Sequence, residues 1–379
     1  MKKTALLLIA LVFAASGFAQ KKSKKSDANT FPYTFEVVKD NSHTSTKDQC
    51  RTGTCWSFAT ISFVESELIR MGKGEHNLSE MFNVRVTYPK KAENYVRYQG
   101  RAQFGPGSLS HDVINAIRDY GMVPEEAYSG LNPGVTEHNH GELDAMLEGL
   151  VKGVTEVRGS KTDAYKKAVD AVLDATLGRV PKKFAYQGKE YTPESFRDAM
   201  GFNASHYVSL SSFTHHAMWE PFILEVPDNF SQGQFYNVPM EDLGKVAQNA
   251  LGNGYTVAWD ADVSERGFSF RNGMAILPVD GTSKDDMFKK VVAEQTVTQE
   301  KRQEAFDMQS TTDDHLMHIT GMSKDQNGNM YYITKNSWGT GNSFDGFQHV
   351  SEAYFNMKTV GIMVHKDAIP ADIRSKLGL

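Results

Sequence analysis

A cysteine heads an apolar run near the start of the chain, and a histidine and an asparagine lie in two strand-like runs near its end. Cys55 sits in Gln49-Cys50-Arg51-Thr52-Gly53-Thr54-Cys55-Trp56-Ser57-Phe58-Ala59, His315 in Asp314-His315-Leu316-Met317, and Asn336 in Lys335-Asn336-Ser337-Trp338-Gly339. A thiol, an imidazole and a side-chain amide are the parts of a cysteine-nucleophile acyl-transfer site. They can cooperate only if an early helix packs against a late pair of strands, across the 260 residues between Cys55 and His315.

The local patterns suit that demand. Cys55 to Met71 is apolar nearly all round and ends at Gly72-Lys73-Gly74, which predicts a buried helix. Ser79 is a candidate N-cap for a second helix, and Ser110 to Tyr120 has helical spacing that stops at Gly121. From about 132 to 234 the character changes. Leu143, Met146, Leu147 and Leu150, then Tyr165, Val169, Val172, Leu173 and Leu177, give two amphipathic helices. This block is expected to be an inserted, largely helical module that packs on the main body or on another subunit.

Strands are expected later, at 255–262, 315–322 and 330–336. The last two flank the turn-rich run from Ser323 to Asn329, which reads as a hairpin. Pairing Met322 with Met330 sets His315 opposite Ser337, beside Asn336.

The N-terminus reads as an export signal. Lys2 and Lys3 precede an apolar run from Thr4 to Ala15, and Gly17-Phe18-Ala19 places small residues at a cleavage site, giving a signal peptide over 1–19. That run is too short to span a bilayer, and stable membrane insertion is not expected. Residues 20–43 form a basic arm and lead-in, leaving about 30 residues before Gln49 and little room for an inhibitory prosegment. With 40% apolar residues the chain can build a large core, and a net charge of −5 gives no reason to expect nucleic acid as a partner. An exported protein usually pairs its cysteines. Here a Cys50–Cys55 bridge would consume the nucleophile, so two free thiols are expected, Cys50 without an assigned role.

The roles follow from chemistry. A helix N-terminus and a facing imidazolium both favour a thiolate at Cys55. His315 would carry protons to the leaving amine and from water, and Asn336 would orient the imidazole. The Gln49 side chain and the Cys55 backbone N–H would hold the oxyanion. No cofactor or metal is expected, and peptides are the expected substrates.

Taken in order, Gln49…Cys55-Trp56-Ser57-Phe58-Ala59, Leu78-Ser79-Glu80, Tyr120-Gly121-Met122-Val123-Pro124, His315 and Asn336-Ser337-Trp338-Gly339 resemble the papain superfamily. The long insert and His-x-Met-x-x-Thr-Gly at 315–321 are similar to its bleomycin hydrolase and aminopeptidase C branch. The resemblance implies an α+β, two-lobed peptidase domain over 44–379. A helical lobe would carry Cys55, a β lobe His315 and Asn336, and peptide would bind between them. It further implies an N-terminal exopeptidase and a homo-oligomer, since relatives form ring-shaped hexamers. Three departures stand out. The Cys–His spacing exceeds the roughly 130–150 residues of compact papain-like enzymes. Relatives are typically cytosolic. The end, Val364 to Leu379, stops before the arm that confines relatives to N-terminal residues. Endopeptidase action and a non-catalytic peptide-binding role are the alternatives.

Several other residues could attract a functional reading. His318 should face away from His315 and be structural or exposed. His216 has no asparagine at hairpin distance, and His138-Asn139-His140 reads as a solvated loop. Trp338 is expected to cover the His315–Asn336 pair. Gly105-Pro106-Gly107-Ser108 is either a backbone strip lining the cleft or a turn.

Overall fold

The computed structural model describes residues 31–379, so the export signal at 1–19 and the basic arm up to residue 30 lie outside the described residues. Strand β1 (Phe35–Asp40) precedes helix α1 (Cys55–Arg70). All residues of α1 from Cys55 to Leu68 are buried, which is why its sequence has no polar face. Helix α2 (Glu80–Arg97) is capped as expected, the Phe82 N–H donating to Ser79 Oγ at 3.0 Å. Helix α3 (Ser110–Tyr120) ends at Gly121, where φ is 90° and a Cβ would lie 2.2 Å from the Pro193 carbonyl carbon. Only glycine fits there.

The helices expected in the insert are α4 (Gly141–Glu156) and α5 (Ala164–Leu177). Leu143, Leu147, Val151, Val169, Leu173 and Leu177 are buried in one core with α1 and α2. Arg85 of α2 forks to Asp170 and Asp174 of α5 at 3.1 and 2.7 Å. The module therefore packs on the body of its own chain. A small hairpin, β2 (Phe184–Tyr186) with β3 (Lys189–Tyr191), leads to α6 (Pro193–Met200).

Helical character ends there, earlier than the sequence suggested. Strands β4 (Tyr207–Ser211), β5 (Pro221–Ile223) and β6 (Gln234–Asn237) belong to the main sheet. Tyr207-Val208-Ser209-Leu210-Ser211 is a short run without helical period, and it pairs with the penultimate segment of the chain.

Helix α7 (Met240–Gly252) precedes β7 (Val257–Ala261), β8 (Phe268–Ser269), β9 (Met274–Ala275) and the short helices α8 (Lys284–Met287) and α9 (Gln299–Asp307). Strands β10 (His315–Asp325), β11 (Met330–Lys335), β12 (Phe347–Ser351) and β13 (Thr359–His365) follow, with α10 (Glu352–Lys358) before β13 and α11 (Ala371–Leu377) after it. The eleven-stranded sheet runs β5-β6-β4-β13-β7-β10-β11-β12-β9-β8, with β1 paired to β10. Its two faces alternate with period two. Ala258 and Leu316 meet the helical core, whereas Trp259 and Met317 meet a second core with α7, α10 and α11.

The β10–β11 hairpin differs from the expected register. Met322 pairs with Tyr332 and Met330 with Lys324, and a bulge between Ile319 and Gly321 shifts the pairing again. The turn is gathered by Asp325, whose carboxylate accepts from Asn327 N and Asn329 N, both at 2.9 Å. That centres the hairpin one residue later than a symmetrical loop would. Regular pairing ends at His318 opposite Lys335, and the chain beyond turns Trp338 toward His315.

Candidate active site

Cys55 is the first residue of α1, and Thr54 makes no side-chain cap there. The leading N–H groups of the helix thus keep the partial positive charge of an uncapped N-terminus. Trp56 anchors the adjacent wall, its indole N–H donating to Pro106 O at 2.9 Å. A Cβ on Gly53 would meet Pro106 at 2.4 Å, so Gly105 to Ser108 is a backbone strip lying directly against the cysteine loop.

The segment before Cys55 is tied to the loop after β11. Gln49 N–H donates to Ser337 O at 2.9 Å, Gly339 N–H to Lys47 O at 3.1 Å, and Asp48 bridges to Trp338. The Gln49 side chain is held at both ends. Its Nε2 donates to Thr52 O at 2.8 Å, and its Oε1 accepts from Ser337 Oγ at 2.6 Å.

His315, first residue of β10, is 4% exposed, and its Nε2 contacts Asn336 Oδ1 at 2.8 Å. Asn336 Nδ2 donates to Gln348 Oε1 at 2.7 Å, which fixes the amide with its oxygen toward the ring. Because that oxygen can only accept, His315 Nε2 carries the proton and Nδ1 is left as the base. The Trp338 ring lies 4.5 Å from the imidazole, centroid to centroid, as the covering role required. The Cys55 thiol receives the backbone N–H of Leu316, the residue next to His315.

Burial decides the charge state of this pair. It pushes the Cys55 thiol up to about 12, outweighing the Leu316 N–H, which favours the thiolate. Asp313, Asp260 and Asp228 add to the rise. Burial also holds His315 down to about 4, against the weaker pull of Asn336 and Asp314 toward the protonated form. The expected thiolate–imidazolium pair therefore gives way, in the unliganded cleft, to a neutral thiol and a neutral imidazole.

Beneath the pair, a polar network joins the lobes. His318, fully buried, contacts Ser62 Oγ of α1 through Nδ1 at 2.8 Å. Lys335 Nζ donates to Ser62 Oγ at 2.8 Å and Thr44 Oγ1 at 3.0 Å, and burial pulls it down to about 8. His318 is thus structural.

His216 contacts Glu225 Oε1 at 2.6 Å, and His215 contacts Glu225 Oε2 at 3.1 Å, so neither shares a partner with His315. The His138–His140 run is not a solvated loop. Arg51 N donates to His138 O, and His140 N to Arg51 O, both at 3.1 Å, and His140 is 3% exposed. Backbone pairing with the cysteine loop draws it inward. Cys50 and Cys55 are both free thiols. Cys50, with φ of 54°, donates its N–H to Asp48 Oδ1.

Sequence reasoning missed Ser337, Gln348 and the acidic residues around Cys55. Ser337 directly follows Asn336, and Gln348 is a polar residue in a buried strand, but neither signal names a partner.

The Peptidase C1-like family model matches residues 107–378, which include His315 and Asn336, while Gln49 and Cys55 precede the match. Aminopeptidase G of Lactobacillus delbrueckii subsp. lactis is 22% identical over 411 residues, covering 96% of this chain and 90% of that protein. Aminopeptidase C of Streptococcus thermophilus is 22% identical over 391 residues, covering 91% and 84%. Among solved structures, PepW from Lactobacillus rhamnosis HN001 superposes with a TM-score of 0.70 at 19% identity, over 90% of this chain and 84% of that one. The shared architecture is the papain-like α+β fold expected from the sequence.

Proposed function

The chain belongs to the Peptidase C1-like family and is a cysteine-type peptidase, and on that premise we propose that it removes N-terminal residues from peptides through an acyl-enzyme on Cys55. The observation that carries the residue assignment is the 2.8 Å His315–Asn336 contact, with Nδ1 left free as a base next to the strand residue that touches the thiol. The exopeptidase preference is supported by the aminopeptidases to which the chain is similar over most of its length.

Peptide binding starts the sequence. As the thiol attacks, its proton passes to His315 Nδ1, and the sulfur bonds to the scissile carbonyl carbon. The Cys55 N–H and the second N–H of the Gln49 amide stabilise the oxyanion. The amide's first N–H is committed to Thr52 O. The imidazolium protonates the leaving amine, then His315 takes a proton from water, which hydrolyses the thioester. Proton transfer within the pair creates no net charge, so it suits a buried site.

The same proposal places the protein outside the cytoplasm after cleavage near Ala19, acting on peptides, without nucleic-acid partners or stable membrane insertion, and as a homo-oligomer. No described helix is long and apolar enough to cross a membrane.

Mass spectrometry of products from matched peptides with free and acetylated N-termini tests the reading. Wild type should release single N-terminal residues, and Cys55→Ala and His315→Ala should release none. Internal cleavage of blocked peptides would establish endopeptidase action, and near-normal turnover by Cys55→Ala would refute the assignment.

A further inference from the structure

We propose that Asp228, Asp313 and Asp260 form the recognition site for a substrate ammonium group, in the first instance the free α-ammonium of the residue being removed. This rests on the peptidase reading above. The three carboxylates come from separate segments and converge only in the fold. Asp313 lies two residues before His315. Asp260, on β7, pairs opposite Leu316, whose N–H reaches the thiol. Asp228, from the β5–β6 connection, seats on Gly107 so closely that a Cβ there would lie 1.8 Å from its Oδ2. Gly107 belongs to the strip that Trp56 anchors beside Cys55.

Neighbouring acids are provided for within the protein. Asp112 accepts from Ser108 Oγ at 2.6 Å, and Asp314 accepts from Val263 N, Ser264 N and Thr312 Oγ1. Asp228 Oδ1 accepts from Gln103 Nε2 at 2.9 Å. Asp260 is different. It is 5% exposed, and neither carboxylate oxygen has a hydrogen-bond partner; Asp313 Oδ2 is also unpartnered. Burial and mutual contact make Asp260 and Asp313 hold protons more tightly than ordinary carboxylates. Lys91 is the cation facing Asp228 and Asp313, but its Nζ is committed to Gly107 O. Buried acceptors without donors are costly, and an arriving ammonium supplies both charge and N–H groups.

The position suits an N-terminus. One carbon separates a peptide's α-nitrogen from the carbonyl carbon that the thiol attacks, so its anchor must lie beside the sulfur. All three carboxylates are close enough to raise the affinity of Cys55 for its proton. A bound ammonium would offset that effect, coupling thiolate formation to occupancy by a free amine.

The test compares alanyl-, N-acetylalanyl- and N-acetyl-lysyl-alanyl-aminomethylcoumarin with the full chain as wild type, Asp228→Asn, Asp313→Asn and Asp228→Glu. Wild type should favour the free amine, and either asparagine variant should cut that preference in kcat/KM by roughly 30-fold or more, through KM. Asp228→Glu, which keeps the charge, should retain part of it and guards against a folding artefact. Preference for the lysyl substrate that falls in the variants would support the site, with a side chain as the ammonium source. Equal turnover of free and blocked alanyl substrates, or an unchanged preference in both asparagine variants, would overturn it while leaving the peptidase reading intact. A wild type inert toward all three would remove both.

Discussion

Asn336 donates its side-chain nitrogen to Gln348 Oε1 at 2.7 Å, and this contact turns its oxygen toward His315. An asparagine alone could present either end of its amide. The neighbour on β12 selects the end, and with it the imidazole tautomer.

Gln348→Leu should therefore leave Asn336 Nδ2 without an acceptor and release the amide. Losing a buried partner costs about 1–3 kcal/mol, or roughly one to two powers of ten if expressed in kcat. Steady-state kinetics should show kcat falling with little change in KM. An unaltered kcat would remove Gln348 from this positioning role.

Gln49 offers a graded comparison. Gln49→Ala deletes an oxyanion donor and should lower kcat by roughly 10²–10³-fold. Ser337→Ala removes only the hydroxyl that holds Gln49 Oε1 at 2.6 Å, and should cost about tenfold. The reverse ranking in kcat would mean that Gln49 does not contact the reacting carbonyl.

A third expectation concerns acid stability. His349 is buried, contacts Ser323 Oγ through Nδ1 and stacks on Phe35, and burial holds it at about 4 against an ordinary 6.5. The unfolded chain takes up this proton as pH falls through about 6.5, whereas the folded chain does so only near 4. Its contribution is thus complete above 6.5 and is lost between 6.5 and 4, at no more than about 1.4 kcal/mol per pH unit. Urea unfolding across that window should show a steeper loss for wild type than for His349→Gln. Parallel curves would contradict the buried neutral state.

The insert provides a packing test. Leu173 is fully buried between α5 and the helical core, and Leu173→Ala should cost about 2–5 kcal/mol. Because the core is shared, unfolding followed by tryptophan fluorescence and by circular dichroism should give one midpoint. Two separated transitions would show that α4 and α5 form an independent unit.

Much of this architecture was readable in residue order. Helix α1 was legible because burial on all sides leaves an unbroken apolar run, and α4 and α5 because one buried face repeats with helical period. The β4–β6 strands were not. Their pairing partners lie on β13 and on one another, so a short segment there carries no local mark of its place in the sheet.

The site divides along the same line. Residue types and their order determined the chemistry: a thiol at a helix start, an imidazole and an amide flanking a hairpin, and a glutamine upstream. Tertiary structure decided how these groups are set. A hairpin bulge and a turn at Asp325 moved the register, Gln348 chose the face of Asn336, and burial made the unliganded Cys55 and His315 neutral. It also drew together three aspartates from distant segments. Hydrogen-bond direction, dielectric and long-range convergence are properties of neighbours in space, and the order of residues along a chain does not specify them by itself.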